Sequence, residues 1–137
     1  MSIGEKIAPL IGRLLISLFF VLNAWDQTQR FDYWASVLAQ NDIASPPFML
    51  ALAISVQGIA GLGLLLGYRV QAASLVLFAF TVTVSVILHD FWRIKGDAAL
   101  RHDELQLFIR NMAIAGGLLV MTGLGGGGFA MDNRNKG

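Results

Sequence analysis

Four apolar stretches, at 7–25, 48–66, 70–88 and 105–124, take up most of the chain. Each holds about 19–20 residues, and at a rise of about 1.5 Å per residue a helix of that length crosses the roughly 30 Å hydrocarbon core of a bilayer. The polar connections between them alternate long, short, long: 26–47, 67–71 and 89–104. Two long connections at one end and a tight turn at the other predict an all-α, polytopic membrane protein. It is a four-transmembrane-helix up-down-up-down bundle in which residues 1–137 form one integral-membrane domain.

Local chemistry sharpens the ends of these stretches. Ser45-Pro46-Pro47 predicts an N-cap followed by proline in the first turn of the second stretch. Asp103-Glu104-Leu105-Gln106 has capping-box spacing and predicts the start of the fourth. Gly67 closes the second and the glycines at 125–128 close the fourth, leaving a frayed tail at 132–137. In the first connection Phe31, Trp34 and Leu38 recur at helical spacing. They fit a short helix lying on the membrane surface or a loop with aromatic anchors. Asn23-Ala24-Trp25-Asp26 lacks a small-x-small cleavage site, so the first stretch reads as a retained helix with an interfacial Trp.

Composition agrees with a membrane class. Hydrophobic residues make up 55% and charged residues 14% of the chain, against about 25% charged in soluble domains, and mean hydropathy is +0.63. A net charge of +1 gives no reason to expect a nucleic-acid partner. The absence of cysteine excludes disulfides, thiolate metal sites and a thiol relay carried by this chain. One end of the bundle carries Lys6, Arg13, Arg69, Arg134 and Lys136 against Glu5 and Asp132. The other carries Arg30, Arg93, Lys95, Arg101 and Arg110 against Asp26, Asp32, Asp42, Asp90, Asp97, Asp103 and Glu104. The first end presents its cations on very short segments, so both termini are expected in the cytoplasm, with all three Trp in a belt at the outer side.

Polar groups are costly in hydrocarbon and mark either interhelical packing or function. The third stretch carries a stripe of Ser74, Phe78, Thr81, Ser85 and His89, and the first a stripe of Arg13, Ser17, Phe20, Ala24 and Gln27. Measured from the outer end, Gln27 and His89 lie at the boundary. From the helical rise Asn111 lies about 9 Å deep and Gln57 about 14 Å. Asn23, Gln27, Gln57, Ser85, His89 and Asn111 are therefore candidates for one outer-half pocket, with Trp25, Asp90, Phe91, Trp92 and Arg110 at its rim. The alternative for the amides is hydrogen bonding between helices as packing glue. His89 suits a proton donor at the pocket mouth or a solvated surface position, and Arg13 can snorkel to the cytoplasmic face. Gly58, Gly61, Gly63, Gly67, Gly116 and Gly117 read as close helix packing. His89-Asp90 and His102-Asp103-Glu104 match no metal-ligand spacing, and no metal site is expected.

These features carry a family likeness. Arg13, Phe20, Gln57-Gly58, Gly61, Leu65-Leu66-Gly67, Ala72-Ala73, His89-Asp90-Phe91-Trp92 and Asn111 with Gly116-Gly117 resemble the DoxX family of four-helix membrane proteins over nearly the whole chain. The most specific piece is His-Asp-Phe-Trp. The chain departs from such families at two charged positions, with Gln27 where lysine is common and Gln57 where glutamate is common. The resemblance implies a bacterial or archaeal inner-membrane protein. Some relatives are the small subunit of a thiosulfate:quinone oxidoreductase and others are linked to oxidative-stress complexes. The expected function is thus a membrane subunit of a quinone-linked redox or oxidative-stress complex. Quinone is its ligand, no cofactor is covalently bound, and a partner redox subunit or homo-oligomer assembles around it in the lipid bilayer. A non-catalytic accessory or assembly subunit and a small-solute carrier are the alternatives.

Overall fold

A computed structural model describes residues 3–88, 91–125 and 127. Its elements are α1 (Ile3–Gln29), α2 (Phe31–Gln40), α3 (Pro46–Leu66), α4 (Val70–Leu88), a single 3-10 turn (Phe91–Arg93) and α5 (Ala98–Leu124). Helices α1, α3, α4 and α5 are long and apolar enough to cross a membrane, and the fold is the all-helical four-span bundle. Between 17% and 28% of each apolar window is buried within the chain, so most of every span faces lipid. Leu15, Leu22, Ile59 and Leu124, each at least 60% exposed, belong to that lipid face.

The helix ends show which local signals win. At the end of α3, Gly67 adopts φ 74°, which lets its N–H reach the Leu64 carbonyl at 3.2 Å while Tyr68 N–H reaches the Gly63 carbonyl at 2.8 Å. This pair of bonds is a Schellman stop, and it requires a left-handed residue that glycine supplies without a Cβ clash. Ser45 precedes α3 as expected but makes no side-chain capping bond. Its backbone is left-handed (φ 49°) rather than extended, and Pro46 and Pro47 have no N–H to offer.

The predicted start of the fourth stretch is overturned. Helix α5 begins at Ala98, where Asp97 accepts a hydrogen bond from the Leu100 N–H at 3.0 Å, and Asp103 and Glu104 lie inside the helix. Residues 98–104 are good helix formers, and a polar first turn outside hydrocarbon leaves no trace in hydropathy. Helix α1 likewise extends about one turn past each end of its apolar stretch. The first connection resolves as a helix, α2, in place of a loop.

Helix α1 packs on α3, α4 packs on α5, and α3 joins the two pairs through its turn into α4. Gly61 makes the α1–α3 approach: a Cβ there would sit 3.2 Å from Val21 Cγ2 and 3.3 Å from Phe20 Cβ. Gly58 faces Ala24 across the same seam, Gly63 backs onto the Tyr68 carbonyl, and Gly117 meets Ile16 on α1. A Cβ at Gly116 would meet nothing within 4 Å among the described residues. The core of Phe20, Leu64, Val70, Leu77, Leu118 and Met121 fills the half of the bundle nearer the short α3–α4 turn. Arg13 lies inside that half at 3% exposure, where the sequence allowed it to snorkel out. Its place on the α1 stripe with Ser17, Phe20 and Ala24 turns it toward the neighbouring helices.

Candidate functional site

Above this core, toward the long connections, the side chains no longer fill the space. A cavity of about 620 Å³ opens there between the four spans, bordered by α2. Helix α1 contributes Phe19, Phe20, Asn23 and Gln27, and α3 contributes Leu50, Ala53 and Gln57. Phe80, Thr81, Val84 and Leu88 come from α4, while Leu100, Glu104, Leu107, Arg110 and Asn111 come from α5. Tyr33, Trp34, Val37 and Leu38 line it from α2.

An amide relay crosses from α1 to α3. Gln57, only 1% exposed, donates through Nε2 to Gln27 Oε1 at 2.8 Å and to the Ala53 carbonyl at 3.2 Å. Its Oε1 accepts from Asn23 Nδ2 at 3.4 Å. Both Gln57 Nε2 hydrogens are thereby used, whereas Gln27 Nε2 and Asn23 Oδ1 keep open valences among the described residues. The Gln27–Gln57 contact also joins the two departures from the family's charged pattern. The two positions touch each other here as neutral amides. An uncharged hydrogen-bonded pair avoids leaving a single charge in hydrocarbon.

On the opposite wall Asn111 is 6% exposed and its Oδ1 accepts from Arg110 Nη2 at 3.4 Å, which leaves Nδ2 available. Thr81 is 5% exposed and its Oγ1 is buried with no hydrogen-bond partner among the described residues. The Arg110 guanidinium lies 5.5 Å from the Phe19 ring centroid, across from α5 to α1. The open groups are mostly donors, the Gln27 and Asn111 amides and the Arg110 guanidinium, while the Thr81 hydroxyl is buried. Walls of Phe, Leu and Val with a few converging donors make a chemistry suited to an apolar molecule carrying acceptor oxygens.

Helix α2 is fixed over α1 by Asp26. Trp34 Nε1 donates to Asp26 Oδ2 at 3.1 Å, and Arg30 Nη1 lies 3.7 Å from Asp26 Oδ1. Arg30 also sits 4.5 Å from the Tyr33 ring centroid. The Arg30–Asp26 pair is half exposed and contributes little, so the indole bond is the specific tie.

The sequence candidates divide. Asn23, Gln27, Gln57 and Asn111 come together on the cavity, and Arg110 is at its wall. Ser85 is buried, donates to the Thr81 carbonyl at 2.7 Å and does not line the cavity; its helical neighbour Thr81 does. Trp25 points outward, 65% exposed. Phe91 and Trp92 pack edge-on against each other and against Phe108 rather than on the cavity. His89 and Asp90 lie outside the described residues. Sequence reasoning missed Phe19, Tyr33, Trp34 and Glu104 as wall residues. The helical spacing of Phe31, Trp34 and Leu38 was the one signal for α2. Among the described residues no three His, Cys, Asp or Glu side chains gather as a metal site.

Comparison with known proteins identifies the lineage. The DoxX family model matches residues 8–90, more than half of the chain. The chain belongs to the DoxX family. It is 25% identical to the inner membrane protein YphA of Escherichia coli (strain K12) over 131 residues, which is 96% of this chain and 92% of YphA. It is 25% identical to the inner membrane protein YqjF of the same organism over 128 residues, 93% of this chain and 92% of YqjF. It is 30% identical over 139 residues to a Surfeit locus protein 4 homolog of Drosophila melanogaster, of which it spans 45%. No solved structure matches it. This DoxX protein is therefore a multi-pass protein of the inner membrane, in contact with the bilayer along four spans.

Proposed function

We propose that this DoxX protein is the membrane subunit of a quinone-linked redox or oxidative-stress complex, and that its cavity holds the quinone head. The observation that carries the reading is the donor-rich wall of an otherwise apolar cavity. Gln27 Nε2 and Asn111 Nδ2 have hydrogens to give, and a quinone offers two carbonyl oxygens that accept. A volume of about 620 Å³ suits a substituted ring rather than a long chain. The packed core of Leu64, Leu77 and Leu118 closes the cavity toward the short-turn end, which favours a binding site over a solute path. With both termini cytoplasmic, the cavity lies in the outer half of the membrane. The chain has no cysteine and so no Fe–S cluster or thiol relay of its own, and in this reading the electrons come from a centre held by a partner subunit.

Trp34 lies on the cavity wall and gives the test. In a variant with Trp25→Phe and Trp92→Phe, titration with a short-chain ubiquinone analogue quenches the remaining indole saturably. Asn111→Ala and Gln27→Ala each weaken the apparent affinity by about tenfold, the equivalent of about 1.4 kcal/mol. Linear, collisional quenching that ignores both substitutions refutes the reading.

A further inference from the structure

We infer that the ligand of this cavity reaches it sideways from the lipid, through the seam between α1 and α5. It is therefore a tailed amphiphile whose ring head lies inside and whose apolar tail remains in the bilayer. The inference rests on the quinone-head reading and adds the ligand's tail and its route.

Three observations carry it. Around the bundle α1 packs on α3, α3 on α4 and α4 on α5, but α1 and α5 build no packed face of their own. Their close approach is Gly117 against Ile16, at the depth of the core. Further along the same seam the Arg110 guanidinium lies over the Phe19 ring, 5.5 Å from its centroid, and both residues line the cavity. Phe19 packs on the core, so the exposed Arg110 side chain is the half of this contact that can swing aside for a passing ring.

The second observation is the opposite border. Toward water the described border of the cavity is α2, which Trp34 ties to Asp26 at 3.1 Å, together with Ile94, Leu100 and Glu104. Opening that side means breaking a hydrogen bond to a carboxylate and lifting a helix off α3, a larger cost than moving one arginine. The third is the character of the seam's lips. On α1 Leu15 and Leu22 are exposed, and on α5 Ile109 and Ala113 are exposed, so a tail lying along the seam stays in contact with apolar side chains. The cavity volume of about 620 Å³ is too small for a head together with a long isoprenoid chain, which leaves most of such a tail outside.

Photo-crosslinking tests this in the full chain reconstituted in nanodiscs. The probe is a benzoquinone carrying a decyl tail with a terminal diazirine, used with and without excess unlabelled decyl-benzoquinone. Competed crosslinks on Leu15, Leu22, Ile109 or Ala113 are expected. Competed crosslinks on Tyr33, Ser36 or Gln40 of α2 would place the entrance at the water side and overturn the lateral route while leaving the head site intact. Labelling that excess unlabelled probe does not reduce overturns the head site, and the route with it.

Discussion

Gln57 offers the most quantitative handle on this bundle. Replacing it with leucine keeps the approximate volume but removes the donor to Gln27 Oε1 at 2.8 Å, the donor to the Ala53 carbonyl and the acceptor for Asn23 Nδ2. The Ala53 carbonyl is already used by the helix, so the loss is two interhelical bonds. Interhelical hydrogen bonds in membrane proteins average about 0.6 kcal/mol and reach about 1.7. The short Gln27 bond belongs in the upper half of that range, and the 3.4 Å Asn23 bond at its lower end. The orphaned groups face a cavity that water can enter, which caps the penalty for leaving them unmade. Gln57→Leu should therefore destabilise the fold by about 1–2 kcal/mol in reversible unfolding in mild micelles. Ser55→Ala is the control: its hydroxyl bonds its own helix at the Ala51 carbonyl, on the lipid side, and should change stability by less than about 0.5 kcal/mol. If Gln57→Leu proves as mild as Ser55→Ala, or stabilises, the amide relay does not hold α1 to α3 and the account of the site's framework fails.

Three further outcomes follow from particular contacts. Asp97→Ala should cost about 1 kcal/mol by loss of the α5 cap, while Asp103→Ala should cost little, as measured by thermal unfolding. Gly61→Leu should separate α1 from α3 and abolish the folded monomer in detergent, whereas Gly116→Leu, with open space around it, should leave monomer stability unchanged. Gln57→Glu alone should cost about 2–3 kcal/mol by placing a lone charge in hydrocarbon. Combining it with Gln27→Lys should recover most of that loss because the two positions are in contact at 2.8 Å, a coupling that a double-mutant cycle measures directly.

The spans were legible because hydropathy reports directly on contact with lipid. Gly67 was legible because a left-handed helix stop is written in one residue. The start of α5 was not, since Asp103-Glu104 satisfies the same capping pattern as Asp97 and only the tertiary fold decides which turn begins the helix. For the site, the shared depth and helical face of Asn23, Gln27, Gln57 and Asn111 brought out four of the wall's polar groups. Ser85 and Thr81 stand on one stripe about a turn apart, and the stripe alone could not say which of them meets the cavity. The tryptophans show the same limit: all three suit an interface by composition, yet only Trp34 lines the cavity, because α2 folds back over α1 to bond Asp26. Long-range returns of that kind leave no periodic trace. The Gln27–Gln57 contact was foreshadowed only as two coupled departures from a family pattern, and the distance makes them one interaction.

The most direct test of the central claim is native mass spectrometry of the protein extracted gently from its own membrane, which reports bound small molecules and partner chains together. A quinone mass should co-isolate with the wild type and with Trp25→Phe and be lost from a Gln27→Leu/Asn111→Leu variant that remains folded. Wild-type protein that carries no quinone, or a quinone retained equally by the double variant, would contradict it.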